Sequence, residues 1–254
     1  MCLIAFAHRV HAEFPLVVAA NRDEFYARPT AQAAFWEDRP GILAGRDLEC
    51  MGTWLGVTRS GRFAAVTNYR DPADVRSSAE SRGTLVSRFL ADAMPAEEFV
   101  AGLVATSGAY RGFNLVASDG TDFYSYSNRV GDPVRLEPGL YGLSNHLLNT
   151  PWPKVRVARA RLEAALAPRP AIEPLFSLLA DTAVVPDEEL PLTGVSAERE
   201  RMLSAARIVS HSYGTRCSTV VLQGADGRMQ FAERSYGAEG AELDTVRYEF
   251  RAAA

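Results

Sequence analysis

A chain of 254 residues makes one large domain or two small ones, and it is long enough to bury about 70–75% of the surface its unfolded form exposes. Ordinary globular composition and a net charge of −4 exclude a basic nucleic-acid-binding surface; the cations are scattered arginines, with Lys154 the single lysine. No apolar run approaches the roughly 20 residues of a membrane span. The three cysteines, Cys2, Cys50 and Cys217, have neither the even count of a disulfide framework nor CxxC zinc spacing, so a reducing cytoplasmic setting is expected.

The chain opens on "CLIAFAH", an apolar stretch too short and too poor in basic flanks to read as a secretory leader. With "PLVVAA" it predicts a hairpin over 2–8 and 15–20, apolar on both faces and therefore covered on both. A polar cluster, "NRDEFYARP", follows as the expected exit from the second strand. "GTWLGVT" and "RFAAVTN" predict two short strands joined by the turn "RSG". The period then changes to that of a helix. Leu85, Val86, Phe89, Leu90 and Ala93 make one stripe, and Phe99, Leu103 and Val104 continue it. Strands return in "FNLVASDG", "TDFYSYS" and "GLYGLSN". "TPWPKVRVARARLEAAL" predicts a helix capped by Thr150 with Pro151 at its first position and an apolar face of Val155, Ala158, Leu162 and Ala165. "EPLFSLLAD" and residues 196–206 predict two further helices around an acidic, proline-rich loop at 183–195. "STVVLQGADGRMQFAERSY" predicts a hairpin and "TVRYEF" a last strand.

Strands, then helices, then strands, without βαβ alternation, indicate an α+β protein of mainly antiparallel sheet in one domain over residues 1–254. Sheets apolar on both faces fit a four-layer αββα sandwich. One sheet with helices on both faces fits the pattern as well.

Cys2 carries the most specific chemical expectation. If Met1 is trimmed, Cys2 has a thiol and a free α-amine in one residue, a nucleophile beside its own base; an α-amine with a pKa of about 8 is partly neutral at pH 7. The bland alternative is a small apolar residue starting a buried strand. A hairpin brings the end of its second strand beside the start of its first, so Asn21, Arg22, Asp23 and Glu24 fall near Cys2. An acid there can hold an ammonium and an arginine can stabilise a thiolate. Alternation puts Asn21 and Asp23 on one face and Arg22 and Glu24 on the other. Solvated surface ion pairs are the competing reading. Asn68 and Asn145 end apolar strands, where an amide can donate to an oxyanion or simply turn the chain. Arg216 precedes Cys217 at a strand start. Burial is expected for both Cys217 and Cys50, and solvation for the acidic run 186–191. His8, His11, His146 and His211 are not spaced as metal ligands, and no P-loop, GxGxxG or Ser–His–Asp pattern occurs.

Several of these stretches occur together as a family signature: "MCLIAF", "AANRDEF", "GTWLGV", "VTNYRDP", "RG" at 82–83, "YGLSN" with "TPWPKV", and "YGTRCSTVVL". The chain resembles the NRDE family, also called the Transport and Golgi Organisation family, second member. The resemblance implies an N-terminal-nucleophile (Ntn) hydrolase type of fold, distantly similar to bile-salt hydrolases and penicillin V acylases. It implies Cys2 as nucleophile and base, Asp23 holding the α-amine, Arg22 tuning the thiolate, Asn68 and Asn145 as the oxyanion site, and Arg216 supporting it. Asn21, Arg22 and His146 are the expected binding residues. Those hydrolases separate the Arg and the Asp, whereas here the two are contiguous, which leaves Asn21 or Arg22 open to a structural role.

Two functions follow as expectations. One is a cysteine amidohydrolase acting on a small non-peptide acyl amide or thioester, with no required cofactor or metal. The other is a non-catalytic ligand-binding protein on the same scaffold, such as a haem carrier or a factor linked to acyl-CoA or lipid metabolism, with cysteine or histidine on any iron. A small molecule is the expected partner in either case.

Overall fold

The computed structural model describes residues 2–76 and 79–253. β1 (Cys2–His8) and β2 (Leu16–Phe25) form the opening hairpin, followed by β3 (Thr30–Phe35), β4 (Ile42–Asp47), β5 (Leu55–Thr58) and β6 (Phe63–Asn68). Helices α1 (Gly83–Ala91) and α2 (Ala96–Thr106) come next. β7 (Phe113–Ser118), β8 (Phe123–Ser127), β9 (Val134–Arg135) and β10 (Gly139–Leu143) follow. Then come α3 (Pro153–Leu166), α4 (Ile172–Leu179) and α5 (Ala197–Ser204), and finally β11 (Tyr213–Gln223), β12 (Arg228–Tyr236) and β13 (Glu242–Arg251). The strands form two antiparallel sheets: six in the order β10-β1-β2-β11-β12-β13, and seven running β3 to β9 in sequence order.

Side-chain alternation builds the layers. Ile4 and Phe6 of β1 join Val18, Ala20, Val221 and Phe231 against Leu43, Val57, Phe63 and Val116 of the other sheet, which makes the core between the sheets. Phe6 stacks on Phe123 and on Tyr141, each at 5.1 Å between ring centroids. Leu3, Ala5, Ala7, Val17 and Ala19 point the other way, onto Val155 and Leu162 of α3 and Leu175 and Leu179 of α4. Leu85, Val86 and Phe89 of α1, with Phe99 and Leu103 of α2, cover the outer face of the seven-stranded sheet. The four layers run helix, sheet, sheet, helix.

Where the structure departs from the sequence-based expectation, pairing or competition explains it. β2 does not stop before the polar cluster. It runs to Phe25, because Asp23, Glu24 and Phe25 pair with Thr215, Gly214 and Tyr213 of β11. β3 and β4 were not foreseen. "TAQAAF" and "ILAGRD" are poor in β-branched residues, and their strand form comes from mutual pairing from Thr30↔Asp47 to Phe35↔Leu43. α3 starts at Pro153 rather than Pro151, with an extended Trp152 as N-cap. The Thr150 hydroxyl cannot cap it, because it is bonded to His146 Nδ1 at 2.8 Å. Ala93 falls beyond the end of α1, and Val104 of α2 is exposed.

Candidate active site

β1 begins at Cys2, and Cys2 lies directly across from Arg22. β2 therefore overhangs the start of β1 by three residues, Asp23 to Phe25, which are held from the other side by β11. Cys2 and Arg22 share the face turned toward the seven-stranded sheet, whereas Asn21 and Asp23 face the helices. At this end of β2, Cys2, Arg22 and Asp23 all border one cleft of about 270 Å³. Its other wall comes from the second sheet and the start of α1: Thr53, Trp54, Asn68 and Arg82. The two walls meet through glycine. A Cβ on Gly52 would lie 2.6 Å from the carbonyl carbon of Gly83, and the Thr53 N–H donates to the Gly83 carbonyl at 3.2 Å. Any side chain at Gly52 would push the start of α1, and Arg82 with it, out of place.

Cys2 is partly exposed. Burial of its sulfur pushes the thiol above its ordinary pKa, and the charge of Asp23 adds to that; the Asp23 backbone N–H and the Arg22 guanidinium pull the other way. The resting sulfur is thus a thiol that needs a base. The Cys2 carbonyl is held by Ser144 Oγ at 2.9 Å. The same hydroxyl sits 3.3 Å from Asn145 Oδ1, and Asn145 Nδ2 donates to the backbone carbonyl of Asn68 at 3.0 Å. A short polar chain thus ties the start of β1 to the end of β6, across the two sheets.

Arg22 is 5% exposed. It stacks 4.2 Å over Trp54, donates to Thr30 Oγ1 at 3.2 Å and lies 3.7 Å from Asp47. Asp23 accepts from Thr215 Oγ1 at 2.6 Å, and its backbone carbonyl accepts from the Tyr213 hydroxyl at 3.2 Å. Burial pushes the Asp23 carboxyl up, while nearby Lys154 and the Thr215 hydrogen bond pull it down. Lys154, the single lysine, is itself buried; desolvation lowers it to about 8, against the pull of Asp23. Its Nζ donates to the Leu203 carbonyl at 2.9 Å.

The remaining expected residues lie outside the lining of the cleft. Asn145 is fully buried behind Asn68. Asn21 spends its whole amide on the helical side: Nδ2 donates to Leu179 at 2.9 Å and to Ala206 at 2.7 Å, and Oδ1 accepts from Ser218 at 2.6 Å. Arg216 sits where the β11 register shifts between Thr215 and Cys217. A bulge turns its side chain out of the ladder, and Nη1 donates to the carbonyls of Phe25, Tyr26 and Arg28, pinning the turn between β2 and β3. His146 lies between Tyr69 and Trp152, with centroids at 5.0 and 5.9 Å. Cys217 is buried, but Cys50 is exposed and borders the cleft, because Asp47 Oδ1 accepts from the Glu49 and Cys50 amides and holds that turn outward. The expected removal of Met1 concerns a residue outside the described ones.

Sequence reasoning missed Arg82, Arg111, Arg28, Asp47 and Trp54 as cleft residues. Trp54 and Arg82 stood inside recognisable motifs, but nothing local said that their segments would meet Cys2. Among the described residues no cluster of three or more histidines, cysteines or carboxylates is arranged to hold a metal ion. A haem needs a flat apolar slot with an axial ligand. The cleft at Cys2 is charged, and no histidine lines it, although Cys2 and Cys50 do. His8 packs edge-on against Phe123 in the interior.

A profile of the family described as Transport and Golgi organisation 2 matches residues 1–238. The chain belongs to that family. The "Transport and Golgi organization protein 2 homolog" of Bos taurus is 38% identical over 99% of both chains, and the Homo sapiens homolog is 36% identical over 98% of this chain and 99% of its own. The Drosophila melanogaster protein is 28% identical over 92% of each. Among solved structures, the Caenorhabditis elegans N-acylethanolamine-hydrolyzing acid amidase ortholog superposes with a TM-score of 0.51. It covers 87% of this chain and 92% of its own at 11% identity. That likeness shows the fold alone, a four-layer αββα sandwich. No helix among the described residues is long and apolar enough to cross a membrane.

Proposed function

We propose that the family member described here is an Ntn-type cysteine hydrolase that cleaves a small non-peptide acyl amide or thioester, with Cys2 as nucleophile. The observation that carries this reading is the position of Cys2: first residue of its strand, bordering the cleft, with the end of β2 projecting past it so that Asp23 lies where the freed α-amine of Cys2 would emerge. Asp23 would accept hydrogen bonds from that amine and hold it in place while the amine takes up and returns the proton. A resting thiol, raised by burial, suits this chemistry, because its proton leaves only as the bond forms.

The steps balance. Cys2 Sγ attacks the acyl carbonyl carbon while the α-amine takes the thiol proton. Asn68, which borders the cleft, is the candidate donor to the developing oxyanion; Asn145 and Ser144 keep it in place by fixing the Asn68 and Cys2 carbonyls. The ammonium then protonates the leaving nitrogen or sulfur and the bond to it breaks. Water, deprotonated by the amine, opens the Cys2 thioester and restores the thiol. Arg22 would hold the approach to Cys2 against Trp54.

The test joins intact mass, thiol labelling and turnover. Met1 should be absent from the purified chain, Cys2 should be labelled ahead of Cys217, and a panel of N-acyl amides and thioesters should contain substrates whose cleavage Cys2→Ala abolishes. Turnover that survives Cys2→Ala removes this residue from the mechanism. A haem carrier on this scaffold would instead give a shifted Soret band on titration, weakened by replacing the iron ligand.

A further inference from the structure

The charges around the cleft do not cancel. Its carboxylates are occupied by neighbours: Asp23 accepts from Thr215 Oγ1 at 2.6 Å, Asp47 accepts from Arg28 at 2.6 Å and lies 3.7 Å from Arg22, Glu24 lies 4.0 Å from Arg22, and Glu80 accepts from the Tyr110 hydroxyl at 2.9 Å. Arg76 is committed as a fork to Asp74, at 2.7 and 2.8 Å. Two guanidiniums remain that form no ion pair with a carboxylate among the described residues, Arg82 and Arg111. Among the described residues their side chains donate to backbone carbonyls only: Arg82 Nη1 to Gly112 at 3.2 Å and Arg111 Nε to Arg76 at 2.5 Å. Arg82 is half-buried and close enough to Cys2 to feel the charge of its thiolate. It stands at the start of α1, whose first turn carries no acidic residue to offset it.

A guanidinium held in a partly dehydrated cleft without a carboxylate is costly unless an anion arrives to pair with it. We propose that Arg82, assisted by Arg111, binds an anionic group on the molecule that Cys2 attacks. The substrate class is thereby narrowed to acyl amides or thioesters that carry a carboxylate or phosphate within reach of the reacting carbonyl. This inference rests on the reading of Cys2 as nucleophile. Arg82 is a specificity-determining residue here; it takes no proton and forms no bond to the reacting atoms.

Two alkylating agents test it on the intact protein without knowledge of the substrate. Iodoacetate is anionic and iodoacetamide is neutral, and both consume the same Cys2 thiolate, so the ratio of their rates is independent of the thiol pKa. Followed at the Cys2 peptide by mass spectrometry and referred to free cysteine, the ratio should be raised in the wild type. It should fall by roughly 5-fold or more in Arg82→Gln, as expected for loss of one charge-assisted contact in a screened site, and be largely kept in Arg82→Lys. Equal ratios in wild type and Arg82→Gln overturn the proposal. A Cys2 that neither reagent modifies overturns the nucleophile reading instead. The anion site is then judged by a second arm, the rise in melting temperature caused by sodium phosphate or sodium acetate over sodium chloride of equal ionic strength. A rise lost in Arg82→Gln upholds the anion site, and which salt gives it separates phosphate from carboxylate. No rise with either salt sinks it. Arg111→Gln repeats both arms if Arg82→Gln fails to fold.

Discussion

Replacing Asn21 by alanine should cost stability and leave Cys2 chemistry intact. The side chain is 1% exposed. It donates two hydrogen bonds, to Leu179 and Ala206, and accepts one from Ser218. At about 1 kcal/mol net for each bond the loss is about 3 kcal/mol, and more if the two carbonyls stay dry and unpaired. For a 254-residue chain the unfolding entropy is about 0.5 kcal/mol per kelvin, so the melting temperature should drop by about 6 °C. The assay pairs thermal unfolding with the rate of Cys2 alkylation at a temperature where both proteins are folded. Asn21 faces α4 and not the cleft, so the alkylation rate should change less than about 2-fold, well under 1 kcal/mol. A variant that keeps its melting temperature but loses Cys2 reactivity would refute this placement and return Asn21 to the site.

Three further outcomes follow. Gly52→Ala, whose new Cβ would meet the Gly83 backbone at 2.6 Å, should destabilise by about 1–3 kcal/mol and lower the iodoacetate preference of Cys2 by displacing Arg82; unchanged denaturation and selectivity together would contradict the close approach. Thr215→Val removes a donor that lowers the Asp23 pKa and the hydrogen bond that Thr215 Oγ1 accepts from the Ile208 N–H at 2.9 Å. Asp23 then keeps its proton to higher pH, and while neutral it no longer raises the Cys2 thiol, so the Cys2 alkylation profile should move to lower pH; a profile that stays put would detach Asp23 from Cys2. His8 is buried and its pKa is lowered below 6.5 by desolvation first and Arg9 second. The unfolded chain then takes up a proton that the folded one refuses, so stability falls as pH drops below about 6.5. In His8→Phe that slope, read from urea midpoints between pH 7 and pH 5, should flatten, and an unaltered slope would acquit His8.

Much of this protein was legible in one dimension. The short continuous apolar runs of β1, β6, β7 and β11 and the period-3.6 stripes of α1 and α3 are local signals, because burial needs only the right residues at the right spacing. The apolar character of both faces of "CLIAFAH" already required cover on two sides, and Leu3 and Ile4 received it from α3 and from the second sheet. Hairpin logic placed Arg22 and Asp23 beside Cys2, since register follows from a short connection. Tertiary structure alone decided which neighbours use their chemistry there. Asn21, Asp23 and Arg216 look alike in sequence, as polar residues at strand ends. Packing gave Asn21 to α4, Asp23 to the overhang past Cys2, and Arg216 to three carbonyls of a turn. Arg82 entered the cleft only because Gly52 and Gly83, thirty-one positions apart, allow two backbones to touch. Contacts of that kind depend on where chain segments meet in space, which no spacing within a single segment records.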